Sequence, residues 1–282
     1  MSSAHYFISK FRDIKTLPHV VTRLSQLVND DDSTMKDFEE VIKMDPTLVA
    51  RLLRLVNSPY YGLIQKVDSI SRAVTFIGMK NIHNIALTEA LKNIFNEKDS
   101  STNFSRNKLW LHCASVSICS KMLAERIFGI NGDDAYLCGI LHDFGLIIEE
   151  QVAPEKFISV CESVDPEIEL PEQERAVLGT DHCEIGYLLT QEWNMTEAIQ
   201  VAIRDHHNSD DTVEPDSLTG IIKLSEYITG QLNYTALPET SPALSPSLAA
   251  HVKDTIDEYN VLIDDLPKEM SKAQDIYEAK EG

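Results

Sequence analysis

Apolar side chains recur every three or four residues along most of this chain, which is the spacing of one face of an α-helix. The segment LVARLLRLV at residues 48–56 is a clear example, because its apolar positions form a broad stripe on one side of a helix. No segment shows the apolar–polar alternation of a half-buried strand, and no repeat of fixed period is found. The pattern therefore predicts an all-α fold.

The helical pattern is interrupted at two places, which divide the chain into three parts. The polar stretch NEKDSSTNFS has no apolar period and predicts the connection between two packed helical lobes, at residues 1–104 and 105–235. The stretch LPETSPALSPS is rich in proline and serine and opens a C-terminal part at residues 236–282. That part is expected to contain a linker, a helix from Leu248 to about Leu266 and a frayed acidic tail.

Charge and hydropathy narrow the functional classes. The chain has 282 residues, of which 25 are lysine or arginine and 45 are aspartate or glutamate, so its formal net charge is −20. Such an acidic surface repels phosphate backbones, and we do not expect nucleic acid as a main partner. No apolar run approaches the ~20 residues that span a membrane, and the first residues lack the apolar block of a signal peptide. We therefore expect a cytoplasmic protein with no membrane partner.

The cysteines do not form a pattern typical of disulfides or of a zinc knuckle. Their number, five, is odd, and they lie apart and mostly among apolar neighbours. We therefore expect free thiols buried in the core. They are Cys113, Cys119, Cys138, Cys161 and Cys183.

A group of imidazoles and carboxylates, all in the second lobe, predicts a metal site. Imidazole nitrogen together with carboxylate oxygen is the ligand mixture of Zn, Mn, Fe or Ni, whereas Ca and Mg prefer oxygen alone. Adjacent His142 and Asp143 suit a site with two ions, because neighbouring helical residues point ~100° apart and a carboxylate can bridge. The site can therefore be mononuclear or dinuclear. The candidate ligands are His112, His142, Asp143, His182, His206, His207 and Glu226.

Positions along the predicted helices direct these side chains inward. His112 lies inside an apolar helix, and His206 extends an apolar stripe that begins at Ile199. His182 precedes Gly186 by one turn, where the missing side chain lets another helix or a ligand approach. A single histidine on an apolar face is usually a hydrogen-bonded core residue. Several in one lobe need partners, since each unsatisfied polar group costs about 1–3 kcal/mol, and either a shared metal or a hydrogen-bonded network supplies them.

Two sets of motifs resemble those of a known family. The first resembles the amino-terminal part of the HD-related output domain (HDOD) family and consists of LPHVVTRLSQLV, MDPTLVARLLRLVNSPYYG and SISRAVTFIGMKNI. The second is similar to the other half of that family and, more distantly, to HD-superfamily metal-dependent phosphohydrolases; it consists of WLHCASVSICSKMLAE, AYLCGILHDFGLI, HCEIGYLLTQEW and AIRDHHN. The resemblance covers about residues 10–232. It implies that the second lobe is an HD-like helical bundle. It also implies that metal-ligand positions are matched by His112, His142, Asp143, His182 and either His206 or His207, and that Glu226 stands where the hydrolases carry a final aspartate.

The resemblance also implies a choice between two functions. HDOD proteins are generally regarded as signalling output modules of bacterial two-component and second-messenger pathways, which implies a signalling protein partner or a phosphorylated small molecule as ligand. The alternative is metal-dependent hydrolysis of a phosphomonoester or phosphodiester. Two departures disfavour a cyclic di-GMP phosphodiesterase: Lys108 stands where HD-GYP enzymes place a ligand glutamate, and Leu146 replaces the lysine of their motif.

Overall fold

Every regular element in the described part of the chain is a helix, which confirms the all-α prediction. None of these described helices is both long enough and apolar enough to cross a bilayer. The predicted connection between the lobes falls mostly outside the described part, because residues 96–103 do not belong to it. The computed structural model describes residues 3–14, 23–24, 26–27, 30, 32–44, 46–58, 61–95, 104–208, 211–237 and 243–277.

Capping residues mark the ends of two of the helices before the connection. The Thr34 hydroxyl accepts from the backbone N–H of Asp37, and the Asp37 carboxylate accepts from the backbone N–H of Thr34, which makes a capping box. Ser69 caps a later helix, and Gly78, with a φ of 83°, ends it. The helices are α1 (Ser3–Ile14), α2 (Met35–Lys43), α3 (Pro46–Val56), α4 (Ile70–Ile77) and α5 (Met79–Phe95).

The helices between residues 105 and 235 begin with a long one. It begins at Arg106, and a π-helical turn completes it at Ile127. Gly129 follows with a φ of 65°, a conformation that glycine adopts easily. The helices are α6 (Arg106–Met122), α7 (Asp133–Leu141), α8 (Phe144–Val152), α9 (Pro154–Glu162), α10 (Leu170–Leu178), α11 (His182–Glu192), α12 (Glu197–Asp205) and α13 (Leu218–Gln231).

The C-terminal part is more helical than its composition suggests. It contains two helices, α14 (Pro246–Asp254) and α15 (Ile256–Tyr277). The single helix predicted from Leu248 to about Leu266 is therefore interrupted at Thr255, and its second part extends well past Leu266. Leu266 and Ala273 are both fully buried, and this continued apolar stripe packs against the rest of the protein.

Apolar side chains form two clusters, and both draw on helices outside residues 105–235. In the first cluster the ring of Phe144 in α8 lies 6.2 Å from Phe11 of α1 and 5.9 Å from Phe95 of α5, measured between centroids. The second cluster joins α2–α5 to the end of α6, α13 and α15. Division of the chain at residues 104 and 235 stays a prediction.

Two glycines let the helices that surround the candidate site approach closely. A Cβ atom on Gly139 of α7 would collide with the backbone of Ser117 in α6. A Cβ atom on Gly145 of α8 would collide with the backbone of His182 at the start of α11. These backbone contacts bring the ends of α7, α8 and α11 together beside α6.

Candidate metal centre

The side chains predicted to share one site do lie together, where α6, α7, α11, α12 and α13 meet. His112 projects from α6 and Glu226 from α13, whereas His142 and Asp143 lie in the turn between α7 and α8. His182 opens α11, and His206 and His207 follow the last turn of α12. All are at least 94% buried except the partly exposed His207: His112, His142, Asp143, His182, His206 and Glu226 have exposed fractions of 6%, 0%, 5%, 0%, 1% and 4%.

In four of the imidazoles, Nδ1 is hydrogen-bonded to an acceptor on the side of the ring that faces away from the site. Backbone carbonyls and carboxylates have no proton to give, so Nδ1 carries the proton and the Nε2 lone pair points into the site. Such outer contacts fix the orientation of metal-binding histidines. The distances are 2.7 Å from His112 to Tyr234 O, 2.9 Å from His142 to Gly139 O, 2.7 Å from His206 to Ile203 O and 2.7 Å from His182 to Glu174 Oε2.

The Nε2 atoms then face one another in pairs. The distance between the Nε2 atoms of His112 and His142 is 3.1 Å, and that between His182 and His206 is 3.3 Å. Two lone pairs at this distance repel unless a proton or a metal cation lies between them. Nitrogens bound to one first-row ion at ~2.0–2.1 Å are themselves separated by about 3.0–3.4 Å. The paired imidazoles are therefore spaced as two ligands of one metal ion would be.

The Asp143 carboxylate lies between the two imidazole pairs. Its Oδ2 atom is 3.3 Å from Nε2 of both His112 and His142. Its Oδ1 atom is 3.5 Å from Nε2 of His182 and 3.6 Å from Nε2 of His206. One oxygen for each pair is the arrangement of a carboxylate that bridges two ions.

Glu226 and His207 complete the two groups. The Glu226 Oε1 atom is 3.7 Å from Nε2 of His142, and its buried Oε2 atom has no hydrogen-bond partner in the described part of the chain. A buried acceptor without a partner is costly, and a cation would satisfy it. We call His112, His142, Glu226 and Asp143 Oδ2 site 1, and His182, His206, His207 and Asp143 Oδ1 site 2.

The electrostatics of the centre favour a bound cation. Burial alone would raise the pKa of Asp143, but the neighbouring imidazoles, His142 foremost, hold it well below its usual range. Burial lowers the pKa of His206 to about 4, so this ring is neutral at neutral pH. Burial also opposes protonation of His142, yet the charge of Asp143 raises the pKa of His142 overall. The carboxylate thus attracts positive charge to the position where the lone pairs meet.

A cavity of about 110 Å³ connects the centre to the surface. His112, Asp143 and Glu226 lie at its floor, and Leu146 forms part of its wall. The loop between α9 and α10 forms the rim and contributes three carboxylates. Among the described residues that line this cavity, none is a lysine or an arginine. The rim carboxylates are those of Asp165, Glu167 and Glu169.

Two residues lie near site 2 that the sequence did not place there. Glu174 is fully buried and accepts from both Nδ1–H and the backbone N–H of His182, at 2.7 and 3.0 Å. The sequence feature that could have identified it is its position, as an acidic residue, midway along the apolar stripe formed by Leu170 and Leu178. Cys183 is a buried free thiol, as expected, but its sulfur lies 3.4 Å from Nε2 of His182.

Comparison with known proteins identifies the family to which this chain belongs. An uncharacterized protein of Treponema pallidum (strain Nichols) is 30% identical over 203 residues, and this chain spans only 38% of its length. That match covers 70% of the present chain. A candidate phosphohydrolase from Shewanella amazonensis SB2B is 25% identical, with a TM-score of 0.68 over 96% of this chain and 94% of that one.

A candidate signal transduction protein from Marinobacter aquaeolei VT8 has the same fold, with a TM-score of 0.72 and 22% identity. The match covers 92% of this chain and 59% of that one. The model of the HDOD domain family matches residues 14–209. Since this is well over half of the chain and includes the turn with His142 and Asp143, the chain belongs to the HDOD family.

Proposed function

We propose that this chain is a metal-dependent regulatory module, in which two first-row metal ions hold the HD-like lobe in one conformation that a signalling protein partner recognises. The observation that supports it best is the pair of facing imidazoles on each side of Asp143. A nitrogen and oxygen donor set of this kind suits Fe, Mn, Ni or Zn.

The residues of the chain have separate roles in this proposal. The carboxylate of Asp143 couples the two sites, because each of its oxygens faces one imidazole pair. The backbone carbonyls behind His112, His142 and His206 hold the rings in the metal-binding tautomer. A divalent ion, when bound, supplies Lewis acidity and offsets the buried negative charge. Because the ligands come from α6, α11, α13 and the segments that directly follow α7 and α12, occupancy would tie these elements together.

The surroundings of the centre favour a protein partner over a phosphorylated small molecule. The acidic rim of Asp165, Glu167 and Glu169 repels phosphate groups at the mouth of the cavity. Leu146 cannot neutralise charge on a transferred phosphoryl group. Both features argue for regulation rather than turnover.

A metal-dependent phosphohydrolase is the second candidate function. It is favoured by the opening of site 1 toward solvent, since His112, Asp143 and Glu226 line the cavity. An open position beside a metal is typical of catalytic sites, whereas structural sites are closed. The substrate would be a small phosphomonoester or phosphodiester.

Metal analysis and turnover measured on one preparation decide between these functions. The protein is purified without chelator or nickel resin, analysed for metals, and assayed with p-nitrophenyl phosphate and bis(p-nitrophenyl) phosphate in added Mn²⁺, Ni²⁺, Fe²⁺ or Zn²⁺. We expect bound metal and no turnover above that of His142→Ala. Turnover that His142→Ala abolishes would establish the phosphohydrolase instead, and absence of bound metal under all conditions would reject the metal centre.

A further inference from the structure

The thiol of Cys183 belongs to the HCEIGYLLTQEW motif and lies beside site 2, but neither of the two groups of candidate ligands includes it. Its Sγ atom is 3.4 Å from Nε2 of His182 and 3.9 Å from both ring nitrogens of His206. We propose that Cys183 binds the ion of site 2 as a thiolate, which makes site 2 a mixed sulfur and nitrogen site. This inference rests on the metal centre proposed above.

The three atoms form a triangle of the size that one ion requires. Its edges are the two sulfur–nitrogen distances and the 3.3 Å between the nitrogens of His182 and His206. With metal–sulfur bonds of ~2.3 Å and metal–nitrogen bonds of ~2.0–2.1 Å, tetrahedral angles give sulfur–nitrogen distances of about 3.5 Å. The same angles give a nitrogen–nitrogen distance of about 3.3 Å. Rotation of the buried cysteine side chain toward Nε2 of His206 would complete the fit, because the sulfur lies equally far from both nitrogens of that ring.

A hydrogen bond from the thiol to His182 is the alternative explanation of the short sulfur–nitrogen distance. One S–H group can satisfy only one lone pair, and the Nε2 lone pair of His206 would still face that of His182. An ion satisfies both nitrogens and the sulfur together. On binding, the S–H bond of Cys183 breaks, its proton passes to the buffer, and the sulfur lone pair forms the bond to the ion.

Sulfur ligation would make the two sites chemically different. Site 1 offers two carboxylates with His112 and His142, a donor set that suits Mn²⁺ or Fe²⁺. Site 2 would offer thiolate with His182 and His206, which shifts its preference toward Zn²⁺ and Co²⁺. The chain could then hold two different metals on either side of Asp143.

Cobalt spectroscopy tests the assignment directly. Metal-free protein is titrated with Co²⁺, and near-ultraviolet absorption is recorded, because cobalt–thiolate bonds give an intense charge-transfer band that nitrogen and oxygen ligands do not give. We expect the band to appear with the first equivalent of Co²⁺ and to be lost in Cys183→Ser. Cys161→Ser, which alters a thiol of similar 7% exposure in α9, should keep the band. Proton release on binding should fall by one per protein molecule in Cys183→Ser, because only the ion of site 2 displaces the thiol proton.

The possible failures are distinct. If cobalt binds, as shown by its visible absorption and by metal analysis, but the wild type gives no charge-transfer band, Cys183 is not a ligand and the metal centre stands. The same conclusion follows if Cys183→Ser keeps the band. If the wild type binds no cobalt and no other first-row metal, the centre itself is wrong and the inference is wrong with it.

Discussion

The carboxylate of Glu174 holds His182 by two hydrogen bonds, 2.7 Å from Nδ1 and 3.0 Å from the backbone nitrogen. The other three buried imidazoles of the centre rely on neutral backbone carbonyls. A carboxylate makes an imidazole a stronger electron donor than a carbonyl does. Glu149 lies beside Glu174, and burial together with that negative charge raises the pKa of Glu149 well above its usual range. Glu149 therefore stays protonated beside Glu174 at neutral pH.

Replacement of Glu174 should weaken one ion site and spare the other. We expect Glu174→Gln to lower the affinity of site 2 by about 10–100-fold, because the outer partner of His182 loses its charge. Competition between the protein and a chromophoric chelator for Zn²⁺ measures both affinities. Glu172→Gln, an exposed change on the same helix, is the control. Equal weakening by both variants would show that Glu174 has no specific effect.

Asp143 should be needed for both ions, whereas the histidines should serve one ion each. Asp143→Asn replaces one bridging oxygen with an amide nitrogen that cannot bind a cation. We expect this variant to retain neither ion at stoichiometric concentration, while His112→Ala loses only the ion of site 1 and His206→Ala only that of site 2. Metal content after gel filtration, with circular dichroism to verify folding, gives the answer. Retention of both ions by Asp143→Asn would contradict the bridging role.

Gly145 should be intolerant of even a methyl group. The added Cβ of Gly145→Ala meets backbone atoms of His182, which cannot move without displacing α11. We expect a loss of about 1–3 kcal/mol in the free energy of unfolding, together with weaker binding at site 2. In Gly186→Ala the methyl group crowds a side-chain atom, Cγ2 of Ile203, and lies at ordinary contact distance from the His142 carbonyl, so the loss should be smaller. Urea denaturation of both metal-free variants compares them, and equal stability would contradict the prediction.

The buried ion pair of Arg106 and Glu150 should stabilise the protein without affecting the metal centre. Arg106 donates to Glu150 Oε2 at 2.6 Å and to the carbonyl of Ile94 at 3.1 Å. Arg106→Met leaves a buried carboxylate uncompensated, which costs about 3–5 kcal/mol. The double variant Arg106→Met, Glu150→Leu should regain most of that loss. Urea denaturation and metal content are the measurements, and a single variant as stable as wild type would disprove the pairing.

Acid should destabilise the protein partly through His83. This ring is 4% exposed, and burial lowers its pKa from 6.5 to about 4 in the folded state. Between these values the unfolded chain binds the extra proton, so stability is full above pH 6.5 and falls as the pH decreases toward 4. From pH 7.5 to pH 5 the loss should be about 2 kcal/mol.

His83→Asn isolates this contribution, because the amide keeps a donor near Asn84 but does not titrate. We expect the stability difference between wild type and variant to shrink by about 2 kcal/mol at pH 5, measured by urea denaturation at both pH values. A difference that does not change with pH would show that His83 is charged in the folded protein.

Helical periodicity was sufficient to predict the fold class and the direction of some candidate ligands. His206 extends the apolar stripe of α12, so local sequence indicates which way it points. Helix α6 is buried on almost every face, so its sequence predicts that His112 is interior but not which neighbour it meets. The pairing of His112 with His142 was beyond prediction, because it depends on how closely α6 and α7 approach at Gly139. Such contacts depend on how separate helices pack together, which a local sequence pattern does not reveal.

Contacts between elements also explain what the sequence did not reveal. Glu174 reaches His182 only because α10 packs against α11. Helix α1 belongs to the cluster around Phe144 although it lies far from it in sequence. The C-terminal helix continues through Pro267, where composition suggested an end, because buried Leu266 and Ala273 lie on the same stripe. In each case tertiary packing outweighs the local signal.

The hydrogen bond from His112 to the carbonyl of Tyr234 joins residues 122 positions apart. Tyr234 lies just beyond α13, and the next residues, Thr235 to Leu237, form one wall of the cavity. The orientation of a candidate ligand is therefore set by a loop, and the loop is anchored by that ligand. By thermodynamic reciprocity, a molecule that pulls this loop outward weakens ion binding at site 1, and an ion at site 1 resists the pull to the same extent.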